Sequence, residues 1–363
     1  MRATREQVLA FRVRAQQLDR PAGTLADTAV LDAGVQDTGP EGAGWALLQR
    51  GVDVAALADD ALVTVWSLRG APHVYRRADL ASVAAALEPW SEADAAKRIF
   101  DAARPLRAAG LDVREAMAVL AGVMREVVTA PMVKGEMSAR LAQRLPEPYL
   151  RSCVPCGAIH PYEQPFRLAA LRAGLVLQPG TSPPVLEPLP GFAPDRAPEA
   201  RHDLVRVTLR LLGPVAPPHV AAHLDAPVKD VRAHWPADAV EVQVGAERRW
   251  LLPGDADRLP AGPVEGVRLL GSHDLLVQAR DRDLLVPDAG RARELWPALG
   301  RPGAVLVDGE VAGTWRARRG RGLAVAVRLW SAAGPRVRAG LAEQAERLAA
   351  YRGQGLGELE VTS

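Results

Sequence analysis

The apolar positions of this chain change period several times, and each change predicts an element. Thr4-Arg5-Glu6-Gln7 has the Thr-x-x-Gln spacing of a capping box, so a helix is expected from there to about Leu18, where Pro21-Ala22-Gly23 breaks it. Thr24 opens a second helical pattern that runs through ADTAVLDAG to Gly34, and GWALLQRG makes a third amphipathic piece. Period two then takes over in Ala61–Trp66 and His73–Tyr75, on either side of Arg69-Gly70-Ala71-Pro72, which predicts a hairpin. Ser91 begins a helix to about Ala108, and Asp112 begins a long one to about Val128. After the turn Thr129-Ala130-Pro131, MVKGEMSARLAQRL is helical up to Pro146, and the two helices around that turn make a helix-turn-helix candidate.

Residues 151–176 show mixed patterning, and seven prolines between Gln178 and Ala200 predict a linker or a surface loop. Three helices follow at Leu204–Leu212, Pro217–Leu224 and Pro227–Trp235, then two strands at 239–244 and 248–252. Helix, helix, helix, hairpin is the order of a winged helix. The C-terminal third reads as β-rich: VRLLG, DLLVQA, DLLVP, GAVLVDGEVAGTW and GLAVAVRLW, with Asp308-Gly309 as a hairpin turn and PRVRAGLAEQAERLAAYRG as a closing helix. The expected class is α+β: tandem winged helix-turn-helix units with a β-rich, barrel-like C-terminal part. The expected boundaries are 1–90, 91–176, a linker at 177–201, then 202–262 and 263–363.

Composition narrows the function. With 363 residues, 48% hydrophobic and 24% charged, the chain has the make-up of a globular protein of more than one core. No apolar run reaches the roughly 18 residues of a membrane span. Two cysteines and an N-terminus without a leader pattern predict a cytoplasmic, nucleoid-associated location. A formal net charge of +2 is not that of an overall basic nucleic-acid binder, but Trp315–Arg338 carries seven arginines and no acid. That stretch fits either a phosphate-attracting surface or a solvated arginine-rich hairpin. Cys153-x2-Cys156 with His160 is short of the four ligands a structural zinc site takes, so neither metal nor cofactor is expected.

The candidate chemistry lies in GVQDTG, residues 34–39, where an amide and a carboxylate stand side by side. Gln36 could orient a water and Asp37 could deprotonate it. Equally, both could cap a helix or bond backbone, with Asp37 receiving an arginine. Arg69 and His73 could hold phosphate, although a structural role suits His73 as well. Lys134, Ser138 and Arg140 lie on the helix after the TAP turn. Lys229 and Arg232 lie on the third helix of the later triplet, and Arg248 and Arg249 on its hairpin. With Arg316, Arg318 and Arg319, these are the phosphate-contact candidates.

VQD at 35–37, VWSLRGAPHVY at 65–75, MVKGEMSARLAQRLP at 132–146, LGPVAPPHVAAHL at 212–224, DLLVQARDR at 274–282 and VLVDGEVAGTWR at 305–316 keep one order along the chain. In that order they resemble the winged-helix DNA glycosylases of the AlkZ/YcaQ type. The resemblance implies three stacked winged-helix units forming a clamp. It also implies excision of cationic or bulky N-alkylated purines by water attack at C1′, and in some members unhooking of crosslinks. The implied partner is double-stranded DNA, intact, alkylated or crosslinked, bound by a monomer and away from membranes. The family's motif, glutamine-x-glutamine/aspartate, falls on Gly34-Val35-Gln36, so its first position is glycine here. Two further functions remain open: a non-catalytic winged-helix DNA binder or transcriptional regulator, and a winged-helix protein-interaction module.

Overall fold

The computed structural model describes residues 1–363 except Asp59, Cys156 and Ala261, and except the side chains of Val54, Ala58 and Arg319. Two compact units share the chain: Met1–Asp59, Thr208–His219 and Pro236–Ser363 form the first, Asp60–Val207 and Val220–Trp235 the second.

The first unit begins with the helix Arg5–Ala15. Thr4 accepts from the Gln7 N–H and the Gln7 side chain reaches back to the Thr4 N–H, as the spacing predicts. Arg2–Ala3 runs parallel to Val240–Val244, which pairs antiparallel with Glu247–Leu251. The second sheet of this unit has five strands in order: Val267–Leu270, Gly303–Val307, Glu310–Arg319, Leu323–Leu329 and Leu356–Thr362. The turn between the second and third is Asp308-Gly309, both at positive φ (51° and 86°), the conformation a tight two-residue hairpin requires.

The helix Pro335–Tyr351 crosses over between the last two strands, which run parallel. It buries Leu341, Ala345 and Leu348 against Leu269, Val325 and Val327. The expected barrel-like closure does not occur. Among the described residues the first and last strands are open edges, and it is this helix, rather than a facing strand, that fills the core. Two segments expected as strands are helical instead: Leu276–Gln278 is a 3-10 turn and Arg282–Leu285 a short helix. Asp274 accepts the Leu276 N–H at 3.1 Å, and this local bond turns the chain where its apolar side chains alone suggested extension.

The second unit is mostly helical. Glu92–Arg98, Ala103–Ala108, Val113–Val127, Lys134–Ala142 and Glu163–Ala170 enclose a core containing Ile99, Leu120, Met124, Met137, Leu141 and Phe166. The helix expected from Ser91 to Ala108 is interrupted at Phe100, whose φ of 53° stops helical propagation. Asp112 caps the long helix through the Glu115 N–H at 3.0 Å. Its sheet runs Pro72–Arg76, Leu62–Trp66, Leu175–Leu177, Val185–Pro188, Met132–Val133, with antiparallel pairs throughout. The proline-rich stretch therefore supplies one strand, Val185–Pro188. Leu150–Cys153 and Ala158–Pro161 form a separate hairpin. Among the described residues no helix is long and apolar enough to cross a membrane.

Candidate active site

GVQDTG is not a helix end. The preceding helical pattern reduces to a 3-10 turn at Ala29–Asp32, Gly34 turns the chain at φ 80°, and Val35–Gln36 is extended. A left-handed backbone at position 34 suits glycine and strains any residue with a Cβ. The glycine at the first motif position is thus what this backbone requires.

The side chains of the loop part company. Gln36 Nε2 donates to Thr38 Oγ1 at 3.0 Å. Asp37 instead turns to the start of the helix Ala43–Leu48, where Oδ1 accepts the Ala43 N–H at 3.0 Å. Gly42 makes that approach possible, since a Cβ there would lie 2.4 Å from Asp37 Oδ1. The carboxylate also acts on Tyr351, whose hydroxyl pKa is pushed up by burial and further by the negative charge of Asp37.

Gln36 lines a small recess in which Val30, Val35, Ala46 and Leu275 surround Arg50, Asp274 and Gln278. Two of its lining residues form a buried ion pair: Arg50 Nη1 and Nη2 reach Asp274 Oδ2 and Oδ1 at 2.8 and 3.0 Å, with both side chains at most 1% exposed. Arg50 also donates to the Ala46 carbonyl at 2.7 Å and to Gln16 Oε1 at 3.2 Å. Sequence reasoning passed over Arg50 and Asp274. Their only signal was a charge set within an apolar run, LLQR and HDLLV.

In the second unit Arg69 sits at φ 58°, and its Nη1 donates to the His223 carbonyl at 2.6 Å. His73 is 2% exposed, with Nδ1 3.0 Å from the Ala71 carbonyl. The RGAPH turn is tied to Lys134 by two residues that the sequence did not single out. Arg167 Nη1 donates to the Gly70 carbonyl at 3.1 Å and its Nε to Glu163 Oε1 at 2.6 Å, and the same oxygen takes Lys134 Nζ at 2.6 Å. Burial raises the Glu163 pKa, but Lys134 and Arg167 more than offset it, so its carboxyl lies below the ordinary value.

The remaining cationic candidates divide by exposure. Arg140 is exposed and paired with Glu136 at 2.5 Å, and Ser138 is half-buried on the same helix. Lys229 and Arg232 project from Val228–Ala233 into solvent. In the first unit Arg248 is exposed, 3.9 Å from Glu241, whereas Arg249 is 5% exposed and bonded to Asp281 and Glu247. Arg316 and Arg318 are exposed two apart on one strand, Arg316 Nη2 donating to the Gly300 carbonyl at 2.5 Å. The Arg319 side chain lies outside the described residues, as does Cys156. Cys153 and His160 lie on opposite strands of the short hairpin, opposite Ala158 and Arg151 respectively, and the His160 pKa is raised by the Pro161 carbonyl and by Cys153.

A family model described as "DNA glycosylase AlkZ-like" matches residues 30–351. Among solved structures, the DNA glycosylase AlkZ of Streptomyces sahachiroi superposes with a TM-score of 0.75 over the whole of both chains at 21% identity. At that identity the likeness speaks for the fold. No curated protein matches the chain.

Proposed function

The chain belongs to the AlkZ-like DNA glycosylase family, and from that premise we propose that it excises N-alkylated purines from duplex DNA by water attack at C1′. The family match over residues 30–351 carries this reading, because it spans Gln36 and all of the cationic candidates. In the reaction, the bond from C1′ to the purine nitrogen breaks and its electrons neutralise the cationic base. The water oxygen bonds to C1′ and a proton leaves to solvent. A base that departs neutral needs no general acid, so a site that holds a water against an oxocarbenium-like sugar suffices. Gln36, which lines a small recess beside Arg50, Asp274 and Gln278, is the residue assigned to that water.

On this reading the chain holds duplex DNA through winged-helix units. Lys134, Ser138, Arg140, Lys229, Arg232, Arg248, Arg316, Arg318 and Arg319 contact phosphates, with Arg69 and His73 at a turn near the Lys134–Glu163–Arg167 network. Such contacts position DNA without reading its sequence, as lesion excision needs.

The test is base release from duplex DNA carrying N7-methylguanine. Wild type should release the base, and Gln36→Ala should lower kcat about a hundredfold, the scale of losing an oriented polar group at a developing charge. If no base is released while salt-sensitive duplex binding persists, the protein is a non-catalytic DNA binder.

A further inference from the structure

We propose that Thr38 is the positioning residue for Gln36, and that the working pair of this loop is Gln36 with Thr38 rather than Gln36 with Asp37. This rests on the glycosylase reading of Gln36 given above.

In an extended stretch, residues two apart share a side and the residue between them faces away. The strand ends at Gln36, and the two residues after it keep the same alternation of burial. Gln36 and Thr38 are half-buried and joined at 3.0 Å, while Asp37 between them is exposed and bonded to the Ala43 N–H. The carboxylate is therefore held by the start of the Ala43–Leu48 helix, on the other side of the chain from the Gln36 amide. Gly42, lacking a Cβ, is what lets it sit there. The alternative partner, position 34, has no side chain and a φ of 80° that disfavours one.

A threonine suits the task chemically. Glutamine has three rotatable side-chain bonds, and an untethered amide samples many orientations. A hydroxyl both accepts and donates, so Thr38 can take the Gln36 N–H and turn its own O–H toward a water. Its β-branch restricts χ1, which gives the hydroxyl a defined direction. The amide is thereby aimed before substrate arrives, and orientation supplied in advance raises the rate of the chemical step rather than affinity.

Thr38→Val keeps the shape and removes the hydroxyl, whereas Thr38→Ser keeps the hydroxyl. On N7-methylguanine duplex, the valine variant should lose about tenfold in kcat, the worth of one hydrogen bond, with KM and DNA affinity little moved. The serine variant should recover to within about twofold. Asp37→Asn, which retains an acceptor for the Ala43 N–H, should cost less than about threefold, while Asp37→Ala should lower the melting temperature. In parallel, the Gln36 side-chain NH2 resonance, recorded with glutamine-selective 15N labelling, should shift in Thr38→Val and return in Thr38→Ser. Wild-type turnover and an unmoved Gln36 resonance in Thr38→Val would overturn the proposal, as would loss of turnover in Asp37→Asn. A wild type that releases no base removes the excision reading instead, and the resonance then still decides whether Thr38 holds Gln36.

Discussion

Buried arginines set the energetics at the residue scale. Arg12 is 0% exposed and Arg249 5%, and both converge on Asp281, with Arg12 Nη2 at 2.6 Å from its carboxylate. Arg12 also donates to the Gly213 carbonyl at 3.2 Å, so the network bridges segments far apart in sequence within the first unit. Burial pushes the Asp281 pKa up, but the two guanidiniums more than offset that, leaving it below the ordinary aspartate value. A depressed folded-state pKa contributes stability above the unfolded value of about 3.9, and that contribution is lost as pH falls through the folded-state value. Asp281→Asn leaves the buried Arg12 without its counter-charge and Arg249 with Glu247 alone, and should cost about 3–5 kcal/mol. Thermal melts from pH 7 down to pH 3 test both statements. The variant should melt well below wild type at pH 7, and the gap should narrow toward pH 3. A constant gap would mean that Asp281 contributes through packing alone.

Elements whose signal is local could be read in the sequence, and those decided by a single polar contact could not. The Thr4 capping box, the Asp112 cap and the Asp308-Gly309 hairpin each rest on residues within four positions of one another, and all three form. Short apolar runs misled: in DLLVQA the Asp274 side chain folds the chain into a 3-10 turn and pairs with Arg50 from 224 positions away. Sequence reasoning passed over the strand Leu356–Thr362 although Glu358–Thr362 alternates polar and apolar, and its parallel pairing with Leu323–Leu329 is set by the crossover helix. The candidate site was legible as an address and not as a geometry. Gln36 stood out, but which of its neighbours shares its side depends on Gly34 and Gly42. Gly309→Ala tests how firmly the hairpin is set. Its φ of 86° disfavours a side chain, and a Cβ would meet Val264 Cγ2 at 2.6 Å. A loss of about 1–3 kcal/mol in urea unfolding is expected. An unchanged midpoint would show that the turn can relax to another type.

Across the whole molecule, a near-balanced charge conceals an uneven use of it. The chain has 45 basic and 43 acidic residues, yet several arginines never reach solvent: Arg12, Arg50 and Arg249 are each at most 5% exposed. The net charge of +2 therefore says little about what DNA would meet. On the proposed reading what counts is the exposed subset of the candidates, Arg140, Lys229 and Arg232 in the second unit and Arg248, Arg316 and Arg318 in the first. Each phosphate neutralised releases counterions, so log K should fall linearly with log salt, with a slope of about −0.9 per contact. The double variant Lys229→Ala/Arg232→Ala should then bind undamaged duplex more weakly, and its slope should be shallower by about 1.8, measured by fluorescence anisotropy between about 50 and 200 mM salt. The reduction should be the same on unrelated sequences, because phosphate contacts carry no sequence information. A slope that matches wild type would remove these two residues from the DNA-binding surface. A slope change confined to one sequence would favour a base-reading regulator over an enzyme that searches for damage.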